Sequence, residues 1–251
     1  MNKQNKTLLQ INEMMDIITE SSHQMPNYVF QYYVGHKIGL DHKPIFNLVA
    51  DSFLTLFSYC LLMRKNAWSQ AFALLRVGLE QVAAVFVLST VDGAADKYLD
   101  LIKEKTEYVN IKDDALKRDF LSNRGVPRNG KNDYFDYGWI SSFTKGQKYG
   151  RKQLLEIARL DEFLVDIEET LNAFSHGSIS VFQMSKDGWE LMRGYGRRAS
   201  LTCFKLYDFL CCSYCKVISE GEFSKLPLDS CFKAFKMTYE NFVIENGWKA
   251  E

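Results

Sequence analysis

Two side chains of opposite charge lie within the most apolar segment of the chain. Arg76 and Glu80 are four positions apart between residues 71 and 88, where the only other polar side chain is Gln81. Residues four apart share one face of a helix, and burying a charge is costly unless it is paired and hydrogen-bonded. We therefore expect polar groups from elsewhere to meet this pair, and Asp51 is one candidate. Two interpretations stay open: an internal ion pair that fixes helix register, or the polar floor of a pocket.

A second polar group stands at the predicted end of a helix. Asn172, Ser175 and His176 precede Gly177, a residue type that often ends helices. A histidine here can titrate near neutral pH and move a proton, with Asn172 one turn earlier to orient it. The alternative is a histidine that caps the helix or satisfies a polar group in the core. The other three histidines match no zinc spacing, and we expect neither metal nor cofactor.

Basic residues cluster beside tyrosines between residues 117 and 198. The basic residues are Lys117, Arg118, Arg124, Arg128, Lys131, Lys145, Lys148, Arg151, Lys152, Arg193, Arg197 and Arg198. Cations beside aromatic rings suit single-stranded RNA, because phosphates pair with the cations and bases stack on the rings. The formal net charge is zero, from 31 basic and 31 acidic residues, so RNA binding requires a local patch. An ordinary solvated loop is the other interpretation.

These motifs resemble two groups of helical proteins. The segment Leu74–Glu80, followed about a hundred residues later by Leu171–Ser178, is similar to an uncharacterised bacterial family catalogued as domain of unknown function 5677. The similarity covers about residues 45–220. The second segment also resembles, more distantly, the HEPN group, which includes many ribonucleases of toxin and defence systems. The motif of that group is Arg, a polar residue such as Asn, three or more variable residues, and His.

The HEPN resemblance implies metal-independent RNA cleavage across a homodimer interface. Asn172 and His176 match the motif, whereas Leu171 stands at the position of its Arg. The resemblance then implies that His176 acts as acid or base and Asn172 orients it. Arg76 and Glu80 would complete the catalytic set, with Arg76 supplying the positive charge. Ser175, Asp51, Arg151 and Arg197 are the expected substrate-binding residues. The alternative is a non-enzymatic interaction module in which the polar residues are structural.

The pattern of apolar residues predicts an all-α bundle of roughly seven to nine helices. Predicted helices cover residues 4–20, 28–38, 44–64, 66–89, 92–121, 151–160, 161–174, 197–219 and 228–245. Pro26 separates the first two. Residues 122–150 are expected to form a long loop with a helical turn near Trp139, and Asp187-Gly188 permits a small β-hairpin near 179–193. We expect an N-terminal helical extension over 1–43 and a single-core bundle over 44–246.

The chain is expected to be cytoplasmic and to have no membrane partner. Its first ten residues are polar and unlike a signal peptide. Neither apolar segment, 53–63 or 71–88, reaches the length of an uninterrupted spanning helix. Four of the six cysteines lie between residues 203 and 215 in a helical pattern, and we expect them to be small buried apolar residues rather than redox or metal ligands.

Overall fold

The computed structural model describes residues 3–127, 129–161, 186–218 and 228–246. Within these ranges the chain is almost entirely helical and contains no strand, which confirms the predicted all-α bundle. The α-helices are α1 (Lys3–Gly35), α2 (Lys43–Arg64), α3 (Trp68–Thr90), α4 (Ala94–Asn110), α5 (Asp114–Ser122), α6 (Lys131–Tyr137), α7 (Arg151–Ala158), α8 (Lys186–Ile218) and α9 (Leu228–Asn246). Short 3-10 turns lie at Leu40–His42, Gly138–Phe143 and Lys145–Gln147.

Helix α1 continues through Pro26, so the predicted break at this residue is wrong. A proline inside a helix removes one backbone hydrogen bond and crowds the carbonyl of the preceding turn. Ile18, Met25 and Val29 lie on both sides of Pro26 and are all buried in the core. We infer that this packing outweighs the local cost of the proline.

The stretch from residue 92 to residue 150 also differs from its prediction. The expected helix over 92–121 is divided into α4 and α5, because the Asp113 carboxylate accepts hydrogen bonds from the backbone N–H groups of Ala115 and Leu116 at 2.7 and 3.0 Å. This is a helix N-cap, and it starts a new helix. The expected loop over 122–150 contains α6 and a 3-10 turn at Lys145–Gln147, whereas the helical turn expected near Trp139 is confirmed as the 3-10 turn Gly138–Phe143.

The prediction of a β-hairpin near 179–193 is wrong for its second strand. Residues 186–193 belong to α8, and residues 179–185 lie outside the described ranges. A short apolar run does not distinguish a strand from a helix by its period. Here the chain is helical, and the helix predicted over 197–219 begins three turns earlier, at Lys186.

One hydrophobic core joins helices from both ends of the chain. Helices α2, α3 and α8 lie at its centre, with α1 packed on α2 and α9 packed on α1. Phe53 of α2 and Phe235 of α9 each contact the buried ring of Tyr207, with centroids 6.3 and 4.9 Å apart. Met14 and Ile18, from the segment expected to be an N-terminal extension, belong to the same core.

Two segments of the described chain are long and apolar enough to cross a membrane, judged by length and composition alone. They are Leu40–Arg64 and Trp68–Thr90, and 39% and 56% of the most apolar 18-residue stretch of each are buried within the protein. Core helices of soluble proteins have the same character. The cytoplasmic location and the absence of a membrane partner therefore stay predictions.

Candidate functional site

Glu80 is the centre of a polar cluster that joins three helices. Its Oε1 lies 3.9 Å from Nε of Arg76 on α3 and 3.8 Å from Nη1 of Arg151 on α7. Its Oε2 accepts a short hydrogen bond from the hydroxyl of Tyr137 on α6. We call Arg76, Glu80, Tyr137 and Arg151 the Glu80 cluster.

The Glu80 cluster is partly open to solvent. The side chains of Arg76, Glu80 and Arg151 are 34%, 26% and 25% exposed. Both Arg–Glu distances exceed the 2.7–3.2 Å of an N–H···O hydrogen bond, so these are loose ion pairs. Two guanidinium groups share the Glu80 carboxylate at a position that a solute can reach.

Tyr137 is neutral at physiological pH and serves as a donor. Burial and the hydrogen bond to Glu80 raise the pKa of Tyr137 above its ordinary value. The nearby Asp136 carboxylate raises this pKa further, and Arg151 opposes the shift. The side chain of Asp136 is itself paired with Lys105 at 3.5 Å, so these two charges cancel near the cluster.

The turn into α7 sets the position of Arg151. Gly150 has a φ of 151°, in the region that residues with a side chain rarely adopt, and Arg151 is the first residue of α7. Leu154 and Leu155 are buried in the core beneath α7, which packs on α3. Burial of these two leucines fixes the rotation of α7 and thereby turns Arg151 towards Glu80.

A second cluster of the same composition lies next along α6. The Tyr134 hydroxyl donates to Oε2 of Glu104 on α4 at 2.6 Å, and Nε of Arg124 donates to the same oxygen at 2.9 Å. The guanidinium of Arg124 also lies over the ring of Phe120, 3.5 Å from its centroid. Tyr134 and Tyr137 are three positions apart, so the short helix α6 is tied to α4 and to α3 by two tyrosine–carboxylate–arginine groups.

Three of the residues predicted from the sequence as a site lie together. Arg76 and Glu80, expected to be catalytic, are joined by Arg151, expected to bind substrate. Asp51 does not take part: it is exposed on α2, and within the described ranges it forms no ion pair with Arg76. Arg197 is exposed on α8, and no ion pair in the described part of the chain joins it to the cluster.

The remaining predicted site residues, Asn172, Ser175 and His176, lie outside the described residues. Their contacts with the Glu80 cluster and their roles stay predictions. Sequence reasoning missed Glu104, and it considered Tyr137 only as one of the tyrosines beside basic residues, not as a partner of Glu80. The available signal was the pair of tyrosines three apart on α6, next to a chain segment rich in glycine.

The cysteines only partly match the expectation of buried apolar residues. Cys60, Cys203 and Cys211 are buried, whereas Cys212 is exposed, so the prediction is wrong for Cys212. The next residue along α8, Ser213, is buried, because successive residues of a helix point in directions about 100° apart. Among the side chains that the structure describes, no group of three or more His, Cys, Asp or Glu residues is arranged to hold a metal ion.

Comparison of the chain with protein-family models, with curated proteins and with solved structures found no match. The resemblances noted from short motifs therefore stay predictions.

Proposed function

We propose that this chain is a HEPN-like helical protein of a bacterial defence or stress system that binds RNA and cleaves it without a metal ion. The supporting observation is the convergence of Arg76 and Arg151, from two different helices, on the single carboxylate of Glu80. The two guanidinium groups and the partial exposure of this cluster suit a phosphate, and arginine is the side chain best matched to phosphate geometry.

In the proposed reaction the ribose 2′-hydroxyl attacks the adjacent phosphorus, and the bond from phosphorus to the 5′-oxygen breaks. His176 accepts the proton of the attacking hydroxyl and then returns it to the leaving 5′-oxygen, so that a 2′,3′-cyclic phosphate and a 5′-hydroxyl result, and Asn172 orients its ring. Arg76 and Arg151 stabilise the charge that develops on the phosphorane oxygens. Arg76 thus supplies the positive charge of the motif's arginine, at whose position Leu171 stands. A homodimer, as in the HEPN group, would place two such sites at one interface.

The first test combines binding and cleavage of mixed RNA by the purified chain in the presence of a chelator. His176→Ala should retain RNA binding and lose cleavage. Arg76→Gln/Arg151→Gln should weaken both, since it removes two phosphate contacts. The matched control is Lys37→Gln/Lys43→Gln, which removes the same charge where α1 connects to α2.

Equal cleavage by the parent and by His176→Ala, or cleavage by neither, would remove the enzymatic part of the proposal. RNA binding that is unchanged in Arg76→Gln/Arg151→Gln would remove the Glu80 cluster as the site. Light scattering reports the oligomeric state, and a monomer at all concentrations used would argue against the dimer.

A second candidate is a non-enzymatic interaction module in which these residues are structural. One observation favours it: the Tyr137 hydroxyl, 57 positions further along the chain, donates directly to Glu80 and holds α6 against α3. Under this alternative Glu80→Gln and His176→Ala lower the melting temperature, and no RNA binds. Tight RNA binding that depends on Arg76 and Arg151 would contradict it.

A further inference from the structure

A tryptophan at the start of α3 packs directly on the backbone of α8. A Cβ atom added at Gly196 would lie 2.6 Å from Cζ3 of Trp68, so only glycine permits this contact. The indole also meets the ring of Phe72 edge-on at a centroid distance of 6.4 Å. Its Nε1 donates to Oδ1 of Asn66 at 3.4 Å. These contacts hold the ring in place while part of it stays exposed.

The turn between α2 and α3 lies beside the same part of α8. Burial, and then contact with the Cys60 thiol of α2, raise the pKa of Cys203 on α8. On α8, Cys203, which contacts Cys60, lies one turn after residue 199. Gly196, which contacts Trp68, lies about one turn before residue 199. Since α2 and α3 are joined by only the three residues 65–67, Lys65 stands at this end of the bundle with residues 196–199 of α8.

Three exposed cations adjoin, along the chain, the residues that hold the indole: Lys65 lies in the turn before Trp68, and Arg197 and Arg198 directly follow Gly196. Lys65, Arg197 and Arg198 are all exposed, and in the described part of the chain none of them forms an ion pair. By contrast, the neighbouring Arg64 is paired with Asp16 of α1. We call Lys65, Trp68, Arg197 and Arg198 the Trp68 patch.

We propose that the Trp68 patch binds one base and the flanking phosphates of single-stranded RNA. The inference rests on the proposed function and adds a second contact site to it. A fixed, partly exposed indole offers a face on which any base can stack, and unpaired guanidinium groups bind phosphates. Trp68 and Arg76 are eight positions apart on α3, which is about 12 Å along the helix axis. A few nucleotides of extended single strand span that distance, so one strand can contact the Trp68 patch and the Glu80 cluster together.

The test is the affinity of the full chain for a short labelled oligouridylate and for an abasic strand of the same length. Trp68→Ala should weaken binding of the oligouridylate by at least about fivefold, because base stacking is lost. It should leave binding of the abasic strand unchanged, which a merely structural role of Trp68 would not predict. Trp68→Phe, which keeps an aromatic face and the packing on Gly196, should retain most of the affinity.

Arg197→Gln/Arg198→Gln should weaken binding of both strands, since both carry phosphates. Both side chains are exposed, so this variant should melt at the temperature of the parent. Lys37→Gln/Lys43→Gln is the charge-matched control and should bind as the parent does.

The outcomes separate this inference from the proposed function. RNA binding that is weakened by Arg76→Gln/Arg151→Gln but unchanged in Trp68→Ala and in Arg197→Gln/Arg198→Gln would overturn the Trp68 patch alone. Absence of RNA binding by the parent chain would overturn both proposals. Equal loss of affinity for the oligouridylate and the abasic strand in Trp68→Ala would overturn base stacking.

Discussion

At the scale of single residues, the chain depends on carboxylates that each serve several partners. Glu80 accepts from Tyr137 and pairs with Arg76 and Arg151, and Glu104 has the corresponding role for Tyr134 and Arg124. A carboxylate can accept several hydrogen bonds, so one partly buried glutamate can hold side chains from three helices together. The same arrangement leaves Arg76 only loosely paired with Glu80, at 3.9 Å, and a loosely paired cation is suited to bind an external anion.

The Tyr137 hydroxyl should contribute measurably to stability. Tyr137→Phe removes the donor to Glu80 and leaves the ring in place, and the expected loss in the free energy of unfolding is about 1 kcal/mol, moderated by partial exposure. For a chain of this size that lowers the melting temperature by about 2–4 °C. Tyr33→Phe is the matched control, since its hydroxyl makes a long, exposed contact of 3.3 Å with the Gly39 carbonyl. Equal melting of the two variants would contradict a structural role for the Tyr137 hydrogen bond.

Sequence reasoning reached part of this residue-level picture. The cost of burying charge in an apolar helix predicted that Arg76 and Glu80 would have polar partners. It did not identify them, because Tyr137 lies 57 positions from Glu80 and no local rule links the two. The expected partner, Asp51, lies on an adjacent helix but is exposed, since it falls on the solvent side of α2.

At the scale of elements, the bounds of α2, α7 and α9 were predicted closely, whereas those of α1 and of the elements between residues 92 and 150 were not. The helix expected over 44–64 is observed at Lys43–Arg64, because a proline marks its start and apolar residues fill its length. The next helix was expected over 66–89, with Asn66 at its start. Asn66 adopts a positive φ of 56° instead, and α3 starts at Trp68. A break was predicted at Pro26, but tertiary packing keeps α1 continuous there. No break was predicted at Asp113, but its side chain caps a new helix and divides the predicted one into two.

The contact between α3 and α8 predicts a glycine requirement. Gly196→Ala places a methyl group 2.6 Å from the indole of Trp68, and we expect this overpacking to cost about 1–3 kcal/mol of unfolding free energy. Alanine otherwise favours a helix over glycine by about 1 kcal/mol, so the sign of the change is informative. Chemical denaturation measures it.

Gly78→Ala provides the matched control for that experiment. Its added Cβ would lie 3.4 Å from Leu56 and from Thr55, which is close to ordinary contact. This variant should therefore be as stable as the parent or slightly more so. A stabilising effect of Gly196→Ala would show that Trp68 does not rest on α8.

At the scale of the whole molecule, tyrosine burial governs the response to alkaline pH. Burial is the main cause that raises the pKa of Tyr207 and of Tyr137, and burial followed by Asp208 raises the pKa of Tyr239 to about 12. An unfolded tyrosine releases its proton near pH 10, whereas these folded ones retain it. The unfolded state then binds fewer protons, and stability falls as pH rises.

We therefore expect the free energy of unfolding to be insensitive to these tyrosines below pH about 10 and to fall progressively above it. Urea denaturation at a series of alkaline pH values measures the decline. Tyr137→Phe should make the decline shallower, because one raised pKa is removed. A free energy of unfolding that stays constant through the same range would contradict the burial of these hydroxyls.

The overall architecture followed from composition more readily than the site did. Few prolines, many aromatic residues and the absence of alternating strands and helices led to an all-α bundle, and this is the observed class. The connection of α1 to the core did not follow from those features. The buried residues of α1 contact α2 and α9. That packing brings the two ends of the chain together, and no local sequence pattern predicts such a long-range contact.

The salt dependence of RNA affinity tests the central claim most directly. Each phosphate contact on a single strand contributes about 0.7 to the slope of log K against log salt concentration. If Arg76 and Arg151 bind phosphates beside Glu80, Arg76→Gln/Arg151→Gln should reduce that slope by about 1.4, whereas Lys37→Gln/Lys43→Gln should leave it unchanged. A slope that is the same in the parent and in Arg76→Gln/Arg151→Gln, or a parent chain that binds no RNA at low salt, would contradict the account.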